Sequence, residues 1–262
     1  MTVAGYRALM QDARMQDLME FAVDIARQAG RTALTHFRSD ALVVDRKADT
    51  SPVTVADRAG EALLRELLAA RFPDDAVVGE EHADTGGTTG RTWYLDPIDG
   101  TKSFVHGVPL FTTLVACWDP DGPLVGVIDA PALRETTWAG RGAGCFHDDC
   151  QARVSSVAAL SEAYVMTSGS EWWPPDLRAR ATSGPFTLRT WGDGYGYSLV
   201  ATGRAEAMVD PGAEVWDLAP LPVIISEAGG RLTGLDGTDG VGSGSAVASN
   251  GLVHDALLAH FG

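Results

Sequence analysis

The chain has 262 residues and a formal net charge of −15 at pH 7, with 45% hydrophobic and 21% charged residues. This length is enough for one large domain or two packed subdomains with an ample core. The acidic balance argues against nucleic acid or an anionic membrane as the main partner, because both would be repelled. The sequence contains neither a run of about 18 apolar residues nor a basic N-terminal region followed by an apolar block. We therefore expect a cytoplasmic protein without a membrane span.

Cysteine and histidine usage argues against a zinc site. The three cysteines, Cys117, Cys145 and Cys150, lack metal-ligand spacing, and the six histidines are scattered without paired spacing. We therefore expect the thiols to be reduced and partly buried, as in a cytoplasmic protein.

The first part of the chain has the pattern of two helices followed by strands. Apolar residues recur at helical spacing over 15–37 and again over 55–72, where Pro73 follows the second helix. Strand-like runs follow at 77–78, 93–95, 111–118, 124–130 and 135–139. Together these elements predict an α+β subdomain over residues 1–150 that includes an antiparallel meander.

Beyond residue 150, strands and helices alternate. Strands are predicted at 163–167, 187–191, 205–209 and 246–248, and helices at 175–182, 195–201, 216–228 and 253–261. This pattern is typical of an α/β subdomain, which we assign to residues 151–262. Because no flexible linker separates the halves, we expect them to pack tightly, with the active site between them.

The most informative segment runs from Asp96 to Thr101 and reads Asp-Pro-Ile-Asp-Gly-Thr. It follows the apolar run 93–95, so two carboxylates emerge at a strand end, where we expect Pro97 to stop the ladder. Gly100 allows a ligand to approach the backbone, and Thr101 adds a hydroxyl at a predicted helix start, where free N–H groups favour an anion. Hard oxygens beside anion-binding amides suit Mg²⁺ and a phosphate ester. The segment predicts a metal-dependent phosphatase centre.

Further carboxylates stand beside apolar segments at Glu80, Glu81 and Asp217. An isolated acidic residue is most often a helix cap or a solvated surface charge. If these residues converge with Asp96 and Asp99, they would hold two or three Mg²⁺ ions, because carboxylates bridge hard cations well. Two ions about 4 Å apart can activate a water and stabilise a leaving oxygen. Side-chain nucleophiles have weaker support, since neither a Gly-x-Ser-x-Gly elbow nor a Walker A motif is present.

Four segments of the chain form a recognisable set. They are Pro-Val-Thr-Val-Ala-Asp at 52–57, Gly-Glu-Glu at 79–81, the segment 96–101, and Trp-Asp at 216–217 followed by Glu-Ala-Gly-Gly at 227–230. In this order they resemble the inositol monophosphatase superfamily of lithium-sensitive, Mg²⁺-dependent phosphatases, over most of the chain. The resemblance implies a layered α-β-α-β-α sandwich of the inositol monophosphatase and fructose-1,6-bisphosphatase type. It also implies a homodimer.

The resemblance further implies a role for each site residue. The metal ligands would be Glu80, Asp96, Asp99, Asp217 and the carbonyl of Ile98. Glu80, with its metal, would orient and deprotonate the attacking water, and Thr101 supported by Asp57 would form a second water-activating pair. The amides of Gly100 and Thr101 would receive the phosphate. Lys47 falls where the family places a lysine near substrate and metal, although a solvated loop lysine is the alternative.

Three segments resemble the histidinol-phosphate phosphatase branch of this superfamily: residues 102–109, 191–197 and 207–211. The inositol branch usually has a Thr-Asn pair where Lys102 and Ser103 stand. Histidinol phosphate carries an ammonium and an imidazole, so its pocket should offer carboxylates. Asp193, Asp210 and Glu214 lie near the expected substrate end and are our candidates. The alternatives are a helix cap for Asp193 and a surface position for Glu214.

The sequence thus predicts a phosphomonoesterase that converts L-histidinol phosphate and water to L-histidinol and phosphate, a step of histidine biosynthesis. An inositol-1-monophosphatase is the first alternative, because inositol hydroxyls also bind carboxylates, and a 3′-phosphoadenosine 5′-phosphate phosphatase is the second. A catalytically silent scaffold of the same fold is the non-enzyme alternative, although every metal position of the motif is intact. Mg²⁺ ions that bridge the phosphate to acidic residues would let an acidic protein handle an anion.

Overall fold

The structure is a computed structural model that describes residues 3–39, 42–46, 52–238 and 240–262, with the backbone alone for 3–12 and 52. Lys47, a predicted substrate-site residue, lies outside the described residues. Among the helices that are described, none combines the length and the hydrophobicity that crossing a membrane requires.

The first half of the chain builds the larger sheet. The elements of this half of the chain are α1 (Val3–His36), β1 (Val44–Arg46), β2 (Pro52–Thr54), α2 (Val55–Arg71), β3 (Ala76–Gly79), β4 (Thr92–Asp99), α3 (Thr101–Val105), β5 (Thr112–Asp119), β6 (Gly122–Ala130), β7 (Glu135–Gly140), β8 (Gly144–His147) and β9 (Cys150–Gln151). Strands β3 to β9 lie side by side in chain order. Only β3 and β4 pair in parallel within this described sheet. The predicted antiparallel meander is confirmed, and β8 and β9 extend it beyond the predicted strands.

The second half builds the smaller sheet. Its elements are β10 (Tyr164–Met166), α4 (Pro175–Ser183), β11 (Thr187–Arg189), α5 (Asp193–Ala201), β12 (Ala207–Asp210), α6 (Val215–Leu218), α7 (Leu221–Glu227), β13 (Arg231–Thr233), β14 (Ala246–Ser249) and α8 (His254–Phe261). The strand order is β11-β10-β12-β14-β13, with β10 parallel to both neighbours and β14 antiparallel to both. Helices α4 and α5 connect the parallel strands, as parallel pairing requires a crossover. The sequence did not predict β13, because three residues are too short for a periodic signal.

The predicted helix over 216–228 is wrong, because the structure divides it into α6 and α7. Pro220 caps α7, and a proline without an N–H group cannot continue the hydrogen-bond ladder of α6. The indole of Trp118 donates to the carbonyl of Ala219 at 2.8 Å, which anchors the break to the larger sheet. The short helix α6 that results carries Asp217.

Strand β4 also differs from the sequence prediction. We expected the ladder to stop at Pro97, but the strand continues to Asp99 with a register shift between Asp96 and Asp99. Proline is tolerated at such an irregularity because the missing N–H group is not needed there. The carbonyl of Pro97 accepts a hydrogen bond from the Thr113 hydroxyl at 2.9 Å instead. Both carboxylates therefore leave the same irregular strand end.

Buried clusters stack the elements in five layers. Helices α1 and α2 pack on one face of the larger sheet around Trp93. The other face of that sheet, at Leu114, meets α5, α7 and Met208 of the smaller sheet. Helices α4 and α8 cover the outer face of the smaller sheet around Val165 and Val247. The predicted α-β-α-β-α sandwich is confirmed. The larger sheet ends at residue 151 and the smaller one begins at 164, and the division into subdomains at 150 stays a prediction.

Candidate active site

Carboxylates from both halves of the chain converge in one cavity. Asp96 and Asp99 come from β4 and Asp217 from α6, and one oxygen of each lies within 4.8 Å of the others. Glu80 follows β3, the parallel neighbour of β4, and lines the same cavity of about 400 Å³. The carboxyl ends of adjacent parallel strands meet at one edge of a sheet, which explains why Glu80 and Asp96 come together. The cavity is lined by residues from both halves of the chain.

Asp217 is fixed by the first turn of α6. Its Oδ2 atom accepts the backbone N–H of Glu214 at 2.9 Å, in a capping box whose N-cap residue is Glu214. A capping box satisfies N–H groups that a helix start would otherwise leave without partners. This contact fixes the carboxylate of Asp217, which lines the cavity.

Burial raises the pKa of all three clustered carboxyl groups. The pKa of Asp96 lies well above its usual value because of burial and then the charges of Glu80, Asp99 and Asp217. Burial raises the pKa of Asp99 to about 6, although hydrogen bonds from the Gly194 N–H and from the Thr112 hydroxyl at 2.8 Å oppose it. Burial, and then the charge of Asp99, raises the pKa of Asp217 to about 8. These groups disfavour ionisation without a cation between them.

The donor set fits a hard divalent cation. All candidate ligand atoms are oxygens, since the carbonyl residue Ile98 lines the cavity beside the carboxylates. Within the described ranges, Lys102 is the basic residue that lines it, and the Lys102 ammonium pairs with Glu171 at 3.3 Å. Carboxylate and carbonyl oxygens suit Mg²⁺, Ca²⁺ or Mn²⁺ rather than a soft metal. A bound cation would relieve the repulsion that raises the carboxyl pKa values.

The turn after β4 needs a glycine. Gly100 has a left-handed φ of 81° and is the N-cap of α3. A Cβ atom at this position would lie 2.9 Å from a carboxylate oxygen of Asp193 and 3.1 Å from the Leu110 carbonyl, so a side chain would clash. Thr101 follows, and its hydroxyl donates to the carbonyl of Ile98 at 3.1 Å. Gly100 and Thr101 both line the cavity.

Asp57 lies buried in the first turn of α2. Its Oδ2 atom accepts the N–H of Thr54 at 2.8 Å and the Thr54 hydroxyl at 2.6 Å. The Oδ1 atom is buried without a hydrogen-bond partner among the described residues. Burial raises the Asp57 pKa, and the charge of Glu80 adds to this effect. Asp57 acts as a helix cap here, and its predicted pairing with Thr101 stays a prediction.

Two of the three predicted substrate carboxylates line the cavity. Asp193 is the first residue of α5 and has an uncommon φ of 54°. Asp210, at the end of β12, is buried and accepts hydrogen bonds from the hydroxyls of Ser168 at 3.1 Å and Tyr197 at 2.9 Å. Glu214 is exposed and caps α6, and it is not among the described residues that line the cavity. The structure thus brings Asp193 and Asp210 into the cavity that holds the Asp96, Asp99 and Asp217 carboxylates, and Glu214 is not part of the described lining.

Sequence reasoning missed several residues that build the site. Thr112 bonds Asp99, and Ser168 bonds Asp210 while accepting the backbone N–H of Asp193 at 3.0 Å. Trp172 lines the cavity. None of these three stands in a segment that the sequence analysis singled out for the site. Their roles depend on contacts between distant segments, so no local pattern would have identified them.

Comparison with known proteins assigns the chain to a family. Residues 14–261 match the inositol monophosphatase family. The histidinol-phosphatase of Mycobacterium tuberculosis is 45% identical over 251 residues, which cover 92% of this chain and 96% of that protein. The histidinol-phosphatase of Chlorobaculum parvum is 38% identical over 249 residues, covering 92% and 95%. The structure of Thermotoga maritima IMPase matches with a TM-score of 0.86 at 30% identity, covering 94% of this chain and 96% of that one. The chain belongs to the inositol monophosphatase family and is a metal-dependent phosphomonoesterase.

Proposed function

We propose that this enzyme hydrolyses L-histidinol phosphate to L-histidinol and phosphate. The observation that carries the proposal is the acidic lining beside the metal carboxylates, formed by Asp193 and Asp210. The ammonium and imidazole of histidinol phosphate are suited to charge-assisted hydrogen bonds with carboxylates. The similarity to proteins named histidinol-phosphatase, at 45% and 38% identity, supports the same substrate.

The proposed cofactor is Mg²⁺, with two or three ions per site. The proposed ligands are Glu80, Asp96, Asp99, Asp217 and the carbonyl of Ile98. When bound, Mg²⁺ supplies an activated water and neutralises the charge on the transferring phosphoryl group. The number of carboxylates supports several ions, because a single Mg²⁺ usually takes one or two carboxylates and keeps several waters.

The protein itself contributes positioning and proton transfer. Glu80 holds the attacking water and accepts its proton, and Thr101 with Asp57 forms a second water-activating pair. The amides of Gly100 and Thr101 orient the phosphate oxygens. The family resemblance also assigns Lys47 to the substrate site, although this residue lies outside the described residues. Phosphoryl transfer depends on in-line positioning and charge neutralisation more than on covalent chemistry from the protein, and this set of roles provides both.

The order of the charged groups along histidinol phosphate indicates which part of the substrate each of the two carboxylates contacts. In histidinol phosphate the ammonium is on the carbon next to the phosphate-bearing CH₂, and the imidazole is one carbon further away. Asp193 packs against Gly100, so it lies beside the proposed phosphate position and is the proposed partner of the ammonium. Asp210 is already bonded by Ser168 and Tyr197, which fixes its carboxylate as a second acidic wall. Glu214 is the least suited of the three because it caps α6 and is not part of the described lining.

We also propose that the enzyme acts in the cytoplasm as a homodimer. Free cysteines at Cys117, Cys145 and Cys150 agree with a reducing compartment. The family resemblance supports the dimer, and the mass of the native particle in light scattering tests it.

The test of function compares phosphate release with Mg²⁺ from L-histidinol phosphate, inositol 1-phosphate and 3′-phosphoadenosine 5′-phosphate. We expect kcat/KM to favour histidinol phosphate by about a hundredfold, or roughly 2.7 kcal/mol of transition-state discrimination. A preference for inositol 1-phosphate would keep the metal chemistry and assign a different alcohol. Failure to hydrolyse any phosphomonoester with Mg²⁺ would favour the silent scaffold. In Asp193→Asn, we expect the preference to fall while the hydrolysis of an aliphatic phosphomonoester is retained.

A further inference from the structure

An exposed aromatic side chain lines the acidic cavity. Trp172 lines the cavity and is 44% exposed, so much of its side chain is accessible to a ligand. Tyr197 is the other aromatic residue of the described lining, but it is 3% exposed and its hydroxyl is committed to Asp210. Trp172 is therefore the aromatic surface that a substrate can reach.

The segment that carries Trp172 is anchored on both sides of the ring. Before it, Ser168 donates from its N–H and its hydroxyl to Asp210 at 3.2 and 3.1 Å. After it, Trp173 is buried at 3% exposure and packs against Phe261. An exposed tryptophan between two such anchors keeps its backbone position without burying its own side chain. The ring is thus presented to the cavity by its neighbours.

Gly212 sets how close the ring comes to the cavity wall. A Cβ atom on Gly212 would lie 3.1 Å from a ring carbon of Trp172, which is tighter than ordinary van der Waals contact. A side chain at position 212 would therefore crowd the indole. Lys102 of α3, which also lines the cavity, pairs at 3.3 Å with Glu171, the residue before Trp172 in the chain. Both partners are largely exposed, so this ion pair contributes little stability and helps to orient the segment across the cavity.

We propose that Trp172 is a specificity-determining residue whose indole face packs against the planar imidazole ring of the substrate. This inference rests on the proposed function. With the phosphate at Gly100 and the ammonium at Asp193, the imidazole extends into the part of the cavity that Trp172 covers. Stacking on an indole stabilises a bound planar heteroaromatic ring through dispersion. A protonated imidazole is also stabilised by a cation–π interaction. Phosphomonoesters without a planar ring lose these contributions.

The experiment measures kcat/KM with Mg²⁺ for L-histidinol phosphate and for β-glycerophosphate in the wild-type enzyme and in Trp172→Ala. We expect the substitution to lower kcat/KM for histidinol phosphate at least about tenfold, mainly through KM, and to change β-glycerophosphate hydrolysis less than twofold. The inhibition constant of L-histidinol should rise by a similar factor, because that product carries the ring without the phosphate. Trp172→Phe should retain most of the preference, since phenylalanine keeps an aromatic face.

Tyr164→Ala is the matched control, because the aromatic side chain of Tyr164 is 42% exposed and Tyr164 is not among the described residues that line the cavity. It should leave both substrates unchanged. If Trp172→Ala keeps the wild-type preference, or lowers both substrates equally, the role of Trp172 is overturned while the proposed function stands. If the wild-type enzyme itself shows no preference for histidinol phosphate, both the proposed function and the role of Trp172 are rejected.

Discussion

The carboxylate of Glu61 accepts the backbone N–H of Glu81 at 2.6 Å, although the two residues lie twenty positions apart. Glu61 lies on α2 with no exposed surface, and it also accepts the N–H of His82 at 3.2 Å. Gly79 faces this carboxylate, and a Cβ atom there would clash with it. Helix α2 thus holds the backbone on both sides of Glu80, a proposed metal ligand, through one buried side chain.

Glu61→Gln should therefore weaken metal activation without touching the metal site directly. An amide keeps one acceptor oxygen but places an NH₂ group where the carboxylate accepts a second N–H, and it loses the charge that pairs with Arg65 at 2.8 Å. Changes to residues that hold a ligand typically cost about 10–100-fold in metal affinity. We expect the Mg²⁺ concentration for half-maximal activity to rise within that range while kcat at saturating Mg²⁺ changes little.

Glu66→Gln is the matched control, since Glu66 is on the same helix and exposed. It should behave like the wild-type enzyme. A Glu61→Gln enzyme with an unchanged Mg²⁺ requirement would show that the contact with Glu81 is purely structural, and a lowered melting temperature alone would agree with that reading.

The extent to which the site was predictable from the sequence depended on how local each contact is. Asp96 and Asp99 share one six-residue segment with Gly100 and Thr101, so a local sequence motif is enough to predict that they act together. That Asp217 lies near Asp96 and Asp99 could be inferred only from the family resemblance. Its position depends on the short helix α6, which the break before α7 at Pro220 separates from the rest of the predicted helix.

Other features depend on tertiary contacts that no window of sequence contains. The continuation of β4 past Pro97 relies on the Thr113 hydroxyl, sixteen positions away. The buried position of Glu61 against Glu81 and the ring of Trp172 against Gly212 depend on segments that meet only in the fold. The layered architecture that the family resemblance implied is confirmed, and the predicted carboxylates Asp96, Asp99 and Asp217 lie together. The residues that position these carboxylates were missed.

Thr112→Val should show how much the positioning of Asp99 matters. The Thr112 hydroxyl is fully buried and donates to Asp99 Oδ2 at 2.8 Å, and valine removes the donor while nearly keeping the shape. Asp99 would keep the Gly194 N–H as its remaining partner at that oxygen among the described residues. We expect the half-saturating Mg²⁺ concentration to rise about tenfold or more. Thr112→Ser, which retains the hydroxyl, should restore the wild-type value. Equal Mg²⁺ requirements in the valine and serine enzymes would contradict this role.

Asp99→Asn should separate activity from stability. The hydrogen bonds from Thr112 and Gly194 both reach Oδ2, so an asparagine oxygen in that place keeps them. Turnover should fall more than about a hundredfold even at saturating Mg²⁺, because a metal-binding charge is lost. Without metal the variant should melt about 2–4 °C higher, because it removes one of several buried carboxyl groups with raised pKa values.

Differential scanning fluorimetry in a chelator and phosphate release in Mg²⁺ check both halves of this prediction. Asp121→Asn, in an exposed turn, should leave both quantities unchanged. Near-normal activity of Asp99→Asn at saturating Mg²⁺ would remove Asp99 from the metal site.

Asp129 makes the stability of the fold depend on pH at a position away from the cavity. It is 4% exposed and accepts the Thr136 hydroxyl at 2.9 Å, and burial raises its pKa from 3.8 to about 6 despite Arg27 and Arg31. Between these two pH values the folded chain holds a proton that the unfolded chain has released. The contribution of Asp129 to stability is therefore complete below pH 3.8 and is lost as the pH rises towards 6.

Asp129→Asn should remove this dependence because asparagine does not titrate. Urea unfolding at pH 4.0, 5.0 and 6.5 measures the free energy of unfolding of both proteins. The wild-type protein should lose about 2 kcal/mol relative to the variant across that interval, at no more than about 1.36 kcal/mol per pH unit. Asp149→Asn, at an exposed position, should run parallel to the wild-type protein. A constant difference between Asp129→Asn and wild type at all three pH values would mean that Asp129 is ionised in the folded protein throughout, with Arg27 and Arg31 outweighing its burial.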